Sequence, residues 1–95
     1  MKVGELLELL DETIAELKIA IISNQQRVFE SPYTSYEFAQ RTIELQEDLS
    51  DLIKAREKLS ALDPEENAGD YFSEEELEKF LKLLELLKKS KSYVY

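Results

Sequence analysis

The sequence predicts an all-α fold: a long antiparallel helical hairpin with a shorter third helix. Three observations carry this. Apolar residues recur at alternating spacings of three and four through most of the chain, the period of one helical face. Two glycines and two prolines in 95 residues leave few turn formers for a sheet. Helix-start signatures, Thr34 with Glu37 and Ser73 with Glu76, then divide the chain into three helical segments. The whole of 1–95 reads as a single helical domain, large enough for a core without a disulfide or metal.

The first helix is expected over about 4–29. Val3, Leu7, Leu10, Ile14, Leu17, Ile21 and Val28 form one stripe, with Asn24 in its only polar slot. Ala15, Ile19, Ile22 and Phe29 fall roughly 100–180° round the wheel from it. A helix with two apolar faces has neighbours on both, so this helix is read as central. Glu5, Glu8, Glu12 and Glu16 make an acidic row on its outer side.

Pro32 disfavours helical geometry at Ser31, and the short break implies an antiparallel hairpin. Phe29, Tyr33, Tyr36 and Phe38 make that turn aromatic, suited to plugging the end of a bundle or meeting a partner.

The second helix is expected over about 35–62. Phe38, Leu45, Leu49, Leu52, Leu59 and Leu62 share a face with Arg41, Thr42 and Arg56. A charge on a core-facing stripe must be paired or must snorkel, so Arg56 joins Asn24 as a candidate polar seam that could fix register. Tyr36, Ala39, Ile43 and Ile53 lie off the main stripe and suggest a second contact surface.

Asp63-Pro64-Glu65-Glu66 reads as a helix start, one turn long and ended by Gly69. The third helix is expected over 74–89 on Leu77, Phe80, Leu81, Leu84 and Leu87, with residues 90–95 as a tail. In an up-down-up bundle that tail could reach the aromatic turn, where Tyr93 or Tyr95 would dock.

Twenty-one acids against twelve bases give a net charge of −9, which disfavours direct contact with nucleic acid or an anionic membrane. No apolar run approaches the ~20 residues that span a bilayer. Acids at Glu5, Glu8, Asp11 and Glu12 interrupt any signal-peptide layout, and a cytoplasmic protein is expected. The charge is uneven: residues 1–51 hold four bases and eleven acids, whereas 79–95 hold five lysines against Glu85 alone.

Chemistry is hard to find. There is no Cys or His, hence no thiolate, no usual neutral-pH general base and no usual transition-metal ligand. Paired carboxylates Glu5/Glu8, Glu44/Glu47 and Asp48/Asp51 have the spacing with which all-α nucleotide pyrophosphohydrolases hold magnesium. With Leu45, Leu49 and Leu52 inward, however, Glu44, Glu47 and Asp51 point roughly 100–160° away from the interior. The expectation is therefore no catalytic residue, no metal and no cofactor.

Two interaction functions follow. The first is a non-enzymatic protein–protein interaction or adaptor module that acts as a homodimer, binding itself and a further protein. A third helix shorter than the hairpin leaves apolar surface bare, and two hairpins could pair into a four-helix core. Ala15, Ile19, Ile22, Phe29, Tyr33, Tyr36 and Ile43 are its candidate interface. In a closed monomer, helix three would cover Ala15, Ile19 and Ile22 instead. The second is an acidic nucleic-acid mimic that inhibits a DNA- or RNA-binding protein through Glu5, Glu8, Glu12, Glu16, Glu44, Glu47 and Asp51. A magnesium-dependent all-α hydrolase is the remote third.

Overall fold

A computed structural model describes residues 1–30 and 35–92. It is all-helical: α1 spans Val3–Glu30, α2 spans Ser35–Ser60, and α3 spans Glu74–Ser92, with one 3₁₀ turn at Ala68–Asp70. The molecule measures 50 × 22 × 16 Å. α1 is central and packs against both α2 and α3. The contacts of Asp11 with Arg56 and of Arg27 with Phe38 set α1 and α2 antiparallel. The capping box at Thr34, the aromatic Tyr33 and the docking of Tyr93 or Tyr95 fall outside the described residues.

α1 buries Val3, Leu6, Leu10, Thr13, Ile14, Leu17, Ala20, Ile21 and Asn24. Most of the expected stripe is there, and it is wider than expected. Leu6, Thr13 and Ala20 join it because α3 lies beside the main stripe, not across from it. Leu9 and Thr13 meet Leu81 and Leu84 of α3, and Leu6 lies beside Leu77 and Phe80. Thr13 is compatible with this apolar site because its hydroxyl donates to the Leu9 carbonyl, 2.9 Å away, within its own helix. The expectation that α3 would cover Ala15, Ile19 and Ile22 is corrected: all three are exposed.

α2 contributes Thr42, Leu45, Leu52 and Leu59 to the core, with Leu49 and Leu62 packed at its margin. It stops at Ser60, short of Leu62. The following segment is not the helical turn expected from Pro64. Asp63 Oδ1 accepts the Glu65 N–H at 3.0 Å, and the 3₁₀ turn starts only after Asn67, whose Oδ1 accepts the Gly69 N–H at 3.0 Å.

The reason lies in α1. The first amides of a helix have no partner inside it. Here the Val3 N–H donates to the Glu66 carbonyl and the Gly4 N–H to the Pro64 carbonyl, both at 2.9 Å, while the Ala68 N–H donates back to the Met1 carbonyl at 2.8 Å. The linker makes a single turn there, with the Glu66 N–H donating to the Asp63 carbonyl at 3.1 Å, and leaves the Pro64 and Glu66 carbonyls to α1, where a continued helix would have spent them internally. Gly4 permits the approach: a Cβ there would stand 3.2 Å from the Pro64 oxygen. Lys2 and Glu65 add a surface ion pair at 3.0 Å.

α3 opens at Glu74 with Ser73 as its N-cap and the expected Ser73–Glu76 pairing: Ser73 Oγ accepts the Glu76 N–H at 3.1 Å, and its hydroxyl donates to Glu76 Oε1 at 3.3 Å. It runs to Ser92, beyond the expected end at 89. It starts at the same end of the molecule as α1 and runs parallel to it. Nineteen residues rise about 28 Å, so α3 leaves the last two turns of the 28-residue α1 without a third helix.

Candidate interaction surfaces

The exposed large hydrophobics are concentrated on the hairpin. Ile19 is 54% exposed, Ile22 56%, Ile43 51% and Tyr36 78%, with Ile53, Leu83 and Leu86 also exposed. Phe29 belongs to α1, but its side chain and all of Tyr33 lie outside the described set.

The expected interface residues do not form one patch. At 100° per residue, Ile19 points roughly 160° away from α2, and Ile43 and Tyr36 point roughly 160–180° away from α1. They occupy opposite edges of the hairpin. Ile22 of α1 and Ile53 of α2 instead both point roughly 170° away from the positions that meet α3. With half-buried Leu7 and Leu49 they define a bare face on the side opposite α3. Charged groups flank it: Lys18 and Glu8 lie roughly 40° to either side of Ile22, Asp11 is held by Arg56, and Glu57 stands at the α2 edge.

The two residues of the expected polar seam behave differently. Arg56 lies at the surface, its side chain 48% exposed, and its guanidinium binds Asp11 across the hairpin. That partner and bond raise the arginine pKa above its ordinary value. Asn24 is fully buried, and neither its Oδ1 nor its Nδ2 has a hydrogen-bond partner among the described residues. The neighbouring buried hydroxyl of α2, Thr42, donates to its own helix at the Phe38 carbonyl, 2.7 Å away.

The acidic residues are spread over two edges. Glu5, Glu8 and Glu12 are exposed on the side of α1 away from α2, and Glu16 is half-buried. Glu44, Glu47 and Asp51 are exposed on α2, pointing roughly 100–165° away from α1. Asp48 is half-buried, and burial first, then the charges of Asp51, Glu47 and Glu44, push its carboxyl above the usual value. Among the described residues no group of three or more Asp or Glu is placed to hold a metal ion.

One apolar groove of about 250 Å³ runs between α2 and α3, floored by Leu6 and walled by Ala55, Leu59, Phe72, Leu77 and Phe80. Lys58 and Glu76 at its rim are its charged groups. No helix among the described residues is long and apolar enough to cross a membrane. No protein-family model matches the chain, nor does any curated protein or solved structure.

Two features were missed in the sequence. Gly4 stands at the start of the expected first helix, and nothing local reveals that a carbonyl from residue 64 must approach it. The row Leu6, Leu9, Thr13, Ala20 did carry a helical spacing, but the threonine hid it.

Proposed function

We propose that this chain is a non-enzymatic protein–protein interaction module that works as a homodimer. The supporting observation is the bare face of the hairpin, where Ile22 and Ile53 stand exposed beside Leu7 and Leu49 with no third helix over them. Burying an isoleucine side chain contributes about 1.5–3 kcal/mol, so a few such residues per copy can offset the cost of association. Light scattering after gel filtration at low micromolar concentration tests the reading. A mass of twice 11.1 kDa is expected, and a mass of 11.1 kDa overturns it.

A second reading, acidic mimicry of nucleic acid, is favoured by the exposed row Glu5, Glu8 and Glu12. It requires a basic partner and a complex that weakens steeply with salt, whereas association through isoleucines does not. Because the α1 and α2 acids face different edges, such a partner would engage the α1 row alone. Glu8→Gln with Glu12→Gln would then abolish binding, and Glu44→Gln with Glu47→Gln would leave it intact.

A further inference from the structure

α2 and α3 both lie against α1 and hardly against each other. Near the base end, where α1 and α3 begin, the valley between them is the apolar groove of about 250 Å³. Two residues explain its shape. Ala55 stands in the α2 wall, on a helix whose neighbouring core positions are Leu52 and Leu59, so that wall is one large side chain short. Phe72, contributed by the linker just ahead of α3, stops the valley at its base end. A water inside such a lining lacks the about two to four polar partners it needs, and apolar cavities of this kind stay dry and accept apolar ligands.

The two charged groups at the rim are not equivalent. Glu76 on the α3 wall is turned back on the start of its own helix, where its carboxylate accepts from the Ser73 hydroxyl at 3.3 Å. Lys58 on the α2 wall is exposed and has no ion-pair partner among the described residues.

We infer that this groove binds a soluble medium-chain alkyl carboxylate, its chain laid over Leu6 toward Phe72 and its head group held by the Lys58 ammonium.

Size sets the chain. At about 30 Å³ for a group the size of a water, 250 Å³ holds about eight such groups, the bulk of a chain of about six to eight carbons. A helix of another protein, about 10 Å across with its side chains, is too wide for it. Charge sets the head. Screening at physiological salt limits interaction to about 8 Å, so the rim decides, not the net charge of −9. An ammonium head must draw Glu76 away from Ser73 and stand beside Lys58, whereas a carboxylate takes a donor that is unpaired. The groove lies on the α3 side of the hairpin, away from the bare face, so the inference does not depend on the homodimer.

The test is a titration of the full chain with hexanoate, heptanoate, octanoate and dodecanoate, followed by amide NMR shifts. Each methylene seated in the groove should tighten binding about fourfold. The gain should stop at about eight carbons, where the groove is full. Shifts should centre on Leu6, Ala55 and Leu77 and leave Ile22 and Leu49 unmoved. Lys58→Gln should weaken octanoate about two- to fivefold and leave 1-octanol unchanged. Ala55→Phe fills the groove and should abolish octanoate binding with helix content retained. The chain-length series and Lys58→Gln leave the core untouched, so they decide the matter even if Ala55→Phe does not fold. No saturable shift with octanoate, shifts centred on the bare face, or full binding to a folded Ala55→Phe chain overturns the site. Affinity that keeps rising to dodecanoate overturns the chain length. 1-Octanol or octylamine binding as tightly as octanoate overturns the head group.

Discussion

The two ends of this hairpin are built to different standards. At the base end, the leading amides of α1 find carbonyls of Pro64 and Glu66, Ala68 is fully buried beneath them, and α3 begins from its own N-cap. At the loop end, α3 no longer accompanies α1, and Asn24 is sealed away with neither polar atom paired among the described residues. Arg27 stacks over the Phe38 ring at 5.6 Å, a contact of modest worth. The same two long helices thus pass from a region where every leading amide is used to one where a buried amide is wasted. Local opening free energy follows such differences. Hydrogen exchange should report slow amides at Val3, Leu6 and Ala68 and faster ones beyond Ile21.

The largest expected effect breaks the base end. Leu10 is fully buried where α1 meets α2, and Leu10→Ala should cost about 2–5 kcal/mol in chemical denaturation. Ile22→Ala removes a side chain that is more than half exposed. In a single copy it should change stability far less than Leu10→Ala. In a dimer built on the bare face it should weaken association while leaving helix content intact. Equal losses from the two variants at a concentration where the chain is monomeric would mean that Ile22 is a core residue of its own subunit.

A smaller effect of opposite sign is expected at the loop end. A buried amide with no partner costs about 1–3 kcal/mol. Asn24→Leu, which replaces it with an apolar side chain of similar volume, should therefore stabilise the chain by an amount of that order. It should also slow exchange around Thr42 more than around Val3. If the variant is destabilised, the amide has a partner in solution. A lone polar residue in an apolar seam is also a device for fixing register and association state. The same variant should thus be checked for a change of mass, because higher oligomers would assign that role to Asn24.

Most of the fold was legible because it rests on local periodicity. The three helices, the centrality of α1 and the pairing of Ser73 with Glu76 all follow from spacings within about ten residues. Where the structure departed from the sequence reading, the cause was nonlocal. Pro64 is a good first residue for a helix, but its carbonyl is taken by Gly4, some sixty positions earlier. The direction from which α3 approaches α1 is likewise set by the linker latch at Met1 and Ala68, so Leu6 and Thr13 became core and Ile19 stayed outside. Ile19, Ile22 and Ile43 are alike in apolar character, and only the mutual rotation of α1 and α2 shows that Ile22 faces the bare side while the others sit on opposite edges.

The smallest expected effect lies midway between the two ends, at Asp48. Its pKa is raised in the folded chain, chiefly by burial and then by Asp51, Glu47 and Glu44. A group whose folded pKa exceeds its unfolded value binds its proton more tightly in the fold. Its contribution favours folding while it is protonated and is lost as pH rises from the ordinary value of 3.8 through the raised one. At neutral pH the charged carboxylate therefore works against the fold. Asp48→Asn keeps the shape and removes the charge, so it should raise the melting temperature slightly at pH 7. The advantage should shrink as pH falls through that window and vanish below it, where the aspartate is protonated in both states. An advantage that persists unchanged at pH 3 would trace the gain to packing or hydrogen bonding of the amide rather than to the crowd of carboxylates around it.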